Sequence, residues 1–80
     1  MRIRYFAGAA EAAGLLEEVV EADFAVSAAE LVDQLGADRE RLARVLAVAT
    51  LLVNGHPLHA REELIAPDAQ VDVLPPFAGG

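Results

Sequence analysis

The 80-residue sequence predicts a single α+β domain, in which a mixed sheet packs against one main helix with a second, shorter helix. Polar and apolar residues alternate at the start of the chain, and apolar residues recur at helical spacing in its middle. Short β-branched runs then return near its end. Apolar residues make up 55% of the chain, which is too many for a disordered segment and enough for one core.

The N-terminal part predicts a β-hairpin. Met1 to Phe6 alternates with period two and is typical of a strand. An alanine-rich loop with a short helical turn is expected at residues 8–14, followed by a second strand at residues 15–24. The apolar side of this second strand comprises Leu16, Val20, Ala22 and Phe24. Glu18 interrupts that side, and the short connection between the two strands indicates a hairpin.

A main helix is predicted after Ser27, because Ser27 and Glu30 have the spacing of a capping box. In such a box the serine oxygen accepts from the N–H near Glu30, and Glu30 reaches back to the N–H of Ser27. The apolar stripe of this helix comprises Leu31, Val32 and Leu35. Gly36 is expected to stop the helix.

A second helix is predicted from Asp38, as its cap, to Ala47. Its apolar residues follow the i, i+3, i+4, i+7 pattern, and they are Leu42, Val45, Leu46 and Ala49. Glu40 and Arg44 are four residues apart and are expected to pair on the outer face.

The C-terminal half predicts the remaining strands. Residues 51–53 form an apolar run that ends at Asn54-Gly55, the strongest short hairpin signal. The remaining predicted elements are a short strand opening at Leu58, a single turn at 62–64, a turn at 67–69 and a last strand at 71–74. We expect the folded domain to cover residues 1–74 and a flexible tail to cover residues 75–80.

The charge balance excludes several classes of partner. Six arginines against thirteen acidic residues give a formal net charge of -7, which repels nucleic acid and anionic membranes. A basic protein partner would be attracted, although the same charge also serves to keep a small protein in solution. The longest apolar stretch is far shorter than the roughly 20 residues of a membrane span. With no targeting segment in view, we expect a cytoplasmic location.

Side chains for catalysis are scarce. Ser27 is explained by helix capping, and the sequence contains neither a P-loop nor a nucleophile elbow. His56 and His59, with Glu62 and Glu63, match no helical metal motif, so no metal site is predicted. The chain lacks the parts of a self-sufficient enzyme.

The C-terminal segment is the exception. Pro75-Pro76 favours an extended chain that cannot continue a sheet ladder, and Gly79-Gly80 has no side chains to obstruct a narrow channel. A carboxylate is a poor electrophile until it is coupled to AMP, which provides a good leaving group. A sulfur donor can then convert the adenylate into a thiocarboxylate, whose sulfur is nucleophilic.

Several segments together resemble a known family. They are Ile3-Arg4-Tyr5-Phe6-Ala7, Ala12-Ala13-Gly14, Ala29-Glu30-Leu31-Val32, Leu52-Val53-Asn54-Gly55 and Pro75-Pro76-Phe77-Ala78-Gly79-Gly80. The sequence resembles the ubiquitin-like sulfur carriers, and most closely the small subunit of molybdopterin synthase. The Pro-Pro-x-x-Gly-Gly ending is the specific part of this resemblance. Gly8-Ala9-Ala10 departs from the family, which often has bulkier or basic residues there.

The resemblance implies a β-grasp fold and a reactive C-terminus. By similarity, a ubiquitin-activating-type adenylyltransferase uses MgATP to adenylate Gly80, and a sulfur donor then forms the thiocarboxylate. The tail, with Ala78 and Gly79 threading a channel, would enter the large subunit of the synthase and deliver sulfur to cyclic pyranopterin monophosphate for molybdopterin. This implies a non-catalytic carrier subunit without a permanently bound cofactor. The expected partner-binding residues are Phe6, Leu58, Pro75, Pro76 and Phe77.

Three alternatives remain open from the sequence. A sulfur carrier for the thiamine thiazole shares the fold and the Gly-Gly ending, but it is usually shorter and has less helix after the first one. A protein modifier would use the same tail to form isopeptide bonds with lysines of its targets. A β-grasp interaction module with an idle tail would tolerate removal of Gly79 and Gly80.

Overall fold

The computed structural model describes residues 1–76. The helices and strands, in chain order, are β1 (Arg2–Tyr5), α1 (Gly8–Ala13), β2 (Glu17–Val19), β3 (Val26–Ser27), α2 (Ala28–Gly36), α3 (Glu40–Val48), β4 (Thr50–Val53), β5 (His56–Pro57), β6 (Leu64–Ile65) and β7 (Gln70–Leu74). This arrangement confirms the predicted α+β class.

A mixed sheet forms the frame of the domain. Its five strands lie in the order β2-β1-β7-β4-β5, with β1 parallel to β7 and every other pair antiparallel. The predicted N-terminal hairpin is confirmed by the antiparallel pairing of β1 with β2. A second sheet pairs β3 with β6, and both of its strands have two residues.

The core lies between the five-stranded sheet and the helices. Alternate residues of β1 and β7 point into it, so Ile3 and Val73 are buried whereas Arg2 is exposed. The largest fully buried side chains are Ile3, Leu31, Leu35, Leu42, Leu46, Ile65, Val71 and Val73. The apolar stripes predicted for the two helices therefore supply the helical half of the core.

The start of α2 follows the predicted capping pattern with one change. The Ser27 hydroxyl oxygen accepts from the Glu30 backbone N–H at 3.1 Å, as expected. The Glu30 carboxylate, however, accepts from the Ser27 hydroxyl rather than from its backbone N–H. The cap still fixes the first turn of the helix, because it occupies an N–H that has no partner within the helix.

The junction between α2 and α3 differs from the prediction. Gly36 is the last residue of α2, and a Cβ there would lie 3.0 Å from the Cβ of Ala43, so this glycine allows α2 and α3 to approach closely. Asp38 does not cap α3. It has a φ of 58°, and α3 begins after Arg39 without a side-chain cap. The helices have nine residues each, so the second helix is as long as the first.

Three other local predictions need correction. Residues 8–13 form a true helix, because Ala9 is fully buried against the core and Gly14 ends the helix in the left-handed region at φ 79°. The strand predicted at 15–24 is limited to the three residues of β2. Leu16 and Phe24, predicted to lie on its apolar side, are 74% and 80% exposed. The predicted pair of Glu40 with Arg44 is absent from the ion pairs that join residues 1–76.

Glu18, which interrupts the apolar side of β2, belongs to a partly buried network. It faces Ile3 across the hairpin and its carboxylate accepts from the Tyr5 hydroxyl and, at 2.9 Å, from Arg39. Arg39 also donates to the Leu35 carbonyl at 2.9 Å, which satisfies the end of α2. Burial first, and the hydrogen bond to Glu18 second, raise the pKa of Tyr5. This network ties the hairpin to the α2–α3 junction.

The Asn54-Gly55 turn forms as predicted. Asn54 and Gly55 have φ values of 51° and 84°, which match the two left-handed positions of a tight hairpin turn between β4 and β5. The Asn54 side chain accepts from the Gln70 N–H at 3.0 Å, and so joins this turn to the start of β7.

We predict that Leu31→Ala lowers the free energy of unfolding by about 2–5 kcal/mol, because Leu31 is fully buried between helix and sheet. Urea unfolding followed by circular dichroism measures the loss. Leu16→Ala is the matched control, since its 74% exposure limits the expected change to about 0.5 kcal/mol. Equal losses in the two variants would contradict the core described above.

We also predict that the protein loses stability in alkaline solution through Tyr5. Its folded pKa is raised, so its contribution is complete below the ordinary tyrosine pKa of about 10 and falls as the pH rises beyond it. The expected slope approaches about 1.4 kcal/mol per pH unit. Because Tyr5 is the only tyrosine and the chain has no cysteine or lysine, few other groups titrate in that range.

Urea unfolding at several pH values above 9 measures this slope, and tyrosinate absorbance follows the ionisation directly. The Tyr5→Phe variant is expected to lose the slope. A tyrosine that ionises near pH 10 in the fully folded protein would contradict the network.

Candidate functional site at the root of the C-terminal tail

The end of β7 determines where the C-terminal segment leaves the domain. Strand β1 runs parallel to β7, so both strands end at the same edge of the sheet, and the Phe6 N–H donates to the Val73 carbonyl at 3.2 Å. On the other side, Leu74 faces Thr50 of β4. We call Phe6, Thr50, Leu74, Pro75 and Pro76 the tail root.

The two prolines of the tail root differ in exposure. Pro75 is buried and follows directly on β7, whereas Pro76 is exposed. A proline has no N–H to donate to a ladder, which agrees with the end of sheet pairing at Leu74. Pro76 therefore offers an apolar surface, and Pro75 contributes mainly to the packing of the domain.

Phe6 is held on the outer face of the sheet by a charged neighbour. The residue is 38% exposed, and the guanidinium carbon of Arg4 lies 5.5 Å from the centre of its ring. Arg4 also donates from Nε and Nη2 to the two carboxylate oxygens of Asp72, at 2.8 and 3.1 Å. The hydrogen bond to Asp72 raises the pKa of Arg4. These two hydrogen bonds hold the guanidinium in place, and the guanidinium covers one face of the Phe6 ring.

Leu58 and Phe6 lie on opposite sides of β7. Leu58 follows β5, and β4 lies between β5 and β7. It is half-buried, packs against the core, and its N–H donates to the Leu51 carbonyl at 2.9 Å. It also lines a cavity of about 150 Å³ that reaches Thr50 of the tail root. The structure thus places Phe6 and Leu58 on either side of β7 rather than in one continuous patch.

The other predicted site residues are Phe77, Ala78, Gly79 and Gly80, and they lie outside the described residues. Their roles in docking, threading and acyl transfer stay predictions, as does the domain boundary after residue 74.

Sequence reasoning missed Arg4 and Asp72. They are 68 positions apart, and only the parallel register of β1 on β7 brings them together. The period-two pattern places Arg4 on the same side of β1 as Phe6. That local signal says nothing about the acidic partner.

The polar side chains of residues 1–76 that were weighed as metal ligands form no metal-binding group. In that part of the chain, no group of three or more His, Cys, Asp or Glu side chains is placed to hold a metal ion. Glu63, one of the residues weighed as a ligand, accepts instead from the backbone N–H groups of His59 and Ala60 at 2.9 and 3.0 Å. All buried side-chain polar atoms in the described region have hydrogen-bond partners. No helix there has the length and hydropathy to cross a bilayer.

Several solved structures share this fold. The crystal structure of SAMP1 from Haloferax volcanii superposes with a TM-score of 0.80 at 27% identity, over 100% of this chain and 98% of that one. The crystal structure of H. volcanii small archaeal modifier protein 1 superposes with a TM-score of 0.79 at 26% identity, over 96% of this chain and 97% of that one. These likenesses confirm the ubiquitin-like β-grasp fold.

A third likeness shows the fold alone, because its sequence identity is lower. The putative molybdopterin converting factor, subunit 1, from Pyrococcus furiosus has a TM-score of 0.80 at 23% identity, over 95% of each chain. No curated protein matches the sequence significantly. The family model described as the ThiS family matches residues 3–80, nearly the whole chain. The chain therefore belongs to the ThiS family of ubiquitin-like sulfur carriers.

Proposed function

We propose that this chain carries sulfur on the main-chain carboxyl group of Gly80. The observation that carries the proposal is the family match, which runs through the Gly-Gly ending to residue 80. The domain is consistent with it, because the end of β7 at Leu74 lets the C-terminal segment leave the sheet.

The proposed chemistry is a substitution at phosphorus followed by a substitution at the acyl carbon. The Gly80 carboxylate attacks the α-phosphorus of ATP, a new C–O–P linkage forms, and pyrophosphate leaves. Hydrosulfide, or a sulfur donor that delivers its equivalent, then attacks the carbonyl carbon and displaces AMP. Loss of a proton leaves a thiocarboxylate. An adenylyltransferase of the ubiquitin-activating type would bind MgATP, so the carrier itself needs no resident cofactor.

The fold's contribution is to present the tail. The described chain leaves the sheet between Phe6 and Thr50, and Pro76 is exposed. The next four residues, 77–80, span at most about 14 Å when fully extended. A partner that reacts with Gly80 must therefore approach the tail root closely, so Phe6 and Pro76 are the described residues placed to contact it.

The destination of the sulfur is proposed to be cyclic pyranopterin monophosphate, through the large subunit of molybdopterin synthase. The Pro-Pro-Phe-Ala-Gly-Gly ending and the additional helix α3 support this pathway over the thiamine thiazole pathway. The Pyrococcus furiosus structure contributes a shared fold to this proposal, whereas the pathway rests on the ending and the helix.

Protein modification is the second candidate, and the likeness to small archaeal modifier protein 1 favours it. In that reaction a lysine amine of a target attacks the Gly80 adenylate or a thioester derived from it, and an isopeptide bond forms. The six basic residues of this chain are all arginines, so a conjugate would form on other proteins. Because Arg61 is the last tryptic cleavage site, a target lysine would keep residues 62–80 of this chain after digestion. A search for lysines that carry this segment in cells separates this candidate from the carrier.

We predict that incubation with ATP, sulfide and the adenylyltransferase replaces one oxygen of the chain with sulfur. Intact-protein mass spectrometry measures the gain, which equals the difference between the two atoms. A chain that ends at Ala78 keeps the described domain and is expected to stay unmodified. An unchanged mass for the full chain, when a known carrier is modified in the same mixture, would contradict the proposal.

We further predict that Phe6→Ala weakens binding to the large synthase subunit about tenfold, because a partly exposed aromatic at the tail root is a typical hot spot. Isothermal titration calorimetry measures the change. Phe24→Ala removes the same group from a site that is 80% exposed, between β2 and β3 and outside the tail root, and it should leave the affinity unchanged. Equal affinities for wild type and Phe6→Ala would remove Phe6 from the docking surface.

A further inference from the structure

A shallow groove runs between α1 and α3 on the helical side of the molecule. It encloses about 320 Å³ and is lined by Gly8, Glu11, Ala12, Arg41, Arg44, Val45 and Val48. The groove exists because α1 contributes only small residues to this wall apart from Glu11, and small side chains cannot fill the space beside α3. We call it the α1–α3 groove.

One wall of the α1–α3 groove combines cationic and apolar groups. Arg41, Arg44 and Val48 occupy successive turns on one side of α3. Both arginines are exposed and Val48 is 61% exposed, so this wall has no cover within the domain. Leu42 and Leu46, by contrast, point into the core and hold the helix in place.

The two arginines differ from most others in the chain. Arg4 and Arg39 form ion pairs, and Arg61 donates to the Leu46 carbonyl at 3.0 Å. Among residues 1–76, neither Arg41 nor Arg44 has an acidic partner within 4.0 Å, although Glu11 lies on the opposite wall. The groove is therefore a local cationic site on a molecule with a net charge of -7.

Two lining residues of the groove are close in sequence to the tail root. Gly8 follows Phe6 by two positions, and Val48 precedes Thr50 by two positions. A protein that surrounds the tail root is therefore near the start of α1 and the end of α3.

We propose that the α1–α3 groove is a second docking surface, which binds an acidic segment of the adenylyltransferase that activates the tail. This inference rests on the proposed function for the identity of the partner. Arginine pairs carboxylates with two parallel hydrogen bonds, so Arg41 and Arg44 select aspartate or glutamate. An apolar side chain of the same segment covers Val48, which is 61% exposed, and the part of Val45 that lines the groove.

The test compares single charge reversals that alter the net charge equally. Isothermal titration calorimetry with the adenylyltransferase, in the absence of ATP, is expected to show a dissociation constant about tenfold higher for Arg41→Glu and for Arg44→Glu. Arg2→Glu is the matched control, because Arg2 is exposed on β1 at the end of the sheet away from the tail root, and it should change the constant less than twofold. Glu11→Gln removes the acid of the groove and should tighten binding.

Several results would overturn the inference. They are unchanged affinity in both groove variants, an equal loss in Arg2→Glu, or no binding of the wild type. Circular dichroism of each variant identifies loss of folding, and Arg44→Gln provides a milder change at the same position. Mass spectrometry of the product, run separately with ATP and sulfide, tests the proposed function. Binding through the groove without modification of the tail would therefore refute the carrier function and leave the docking surface intact.

Discussion

The parallel pairing of β1 with β7 is the constraint on which the functional end of the molecule depends. It joins the first strand to the last at the centre of the sheet. It also fixes the end of these strands from which the chain leaves the domain. The same register brings Arg4 onto Asp72, and Arg4 in turn lies over Phe6. A change in this pairing by one residue would reverse the two faces of β7, bury Asp72 in the core and displace the tail root. The fold and the presentation of the tail are therefore determined by one set of backbone contacts.

Packing and hydrogen bonds hold the domain together. Its apolar side chains fill the space between sheet and helices, and partly buried polar groups join elements, as Glu18 does between Tyr5 and Arg39. A carrier that reacts through main-chain atoms has no need of a catalytic side chain, but it must be recognised by more than one partner. The tail root and the α1–α3 groove lie next to each other and differ in character. The tail root is mainly apolar, and the groove is cationic within an acidic molecule. Under the proposed function, two such surfaces would let different partners use one tail.

Local signals predicted the parts of the fold that local interactions determine. The capping of α2 by Ser27 and the Asn54-Gly55 turn depend on neighbouring residues, and both form. The helix at residues 8–13 buries Ala9 in the core, and the φ of 58° at Asp38 belongs to the turn between α2 and α3, where Gly36 lies against Ala43. Neither condition is visible in a sequence window. For the site, the exposure of Phe6 and Pro76 agrees with their predicted docking role, which awaits a binding measurement. The ion pair of Arg4 with Asp72 could not be predicted from the sequence, because residues 68 positions apart meet only in the assembled sheet.

The central claim is that the reactive group of this protein is a main-chain carboxyl group and not a side chain of the domain. Fragmentation of the sulfur-charged chain by tandem mass spectrometry tests it most directly, because each fragment reports which residue holds the added atom. The added sulfur is expected only in fragments that contain Gly80, with every fragment from residues 1–76 unmodified. Sulfur or AMP attached to a side chain of residues 1–76 would contradict it.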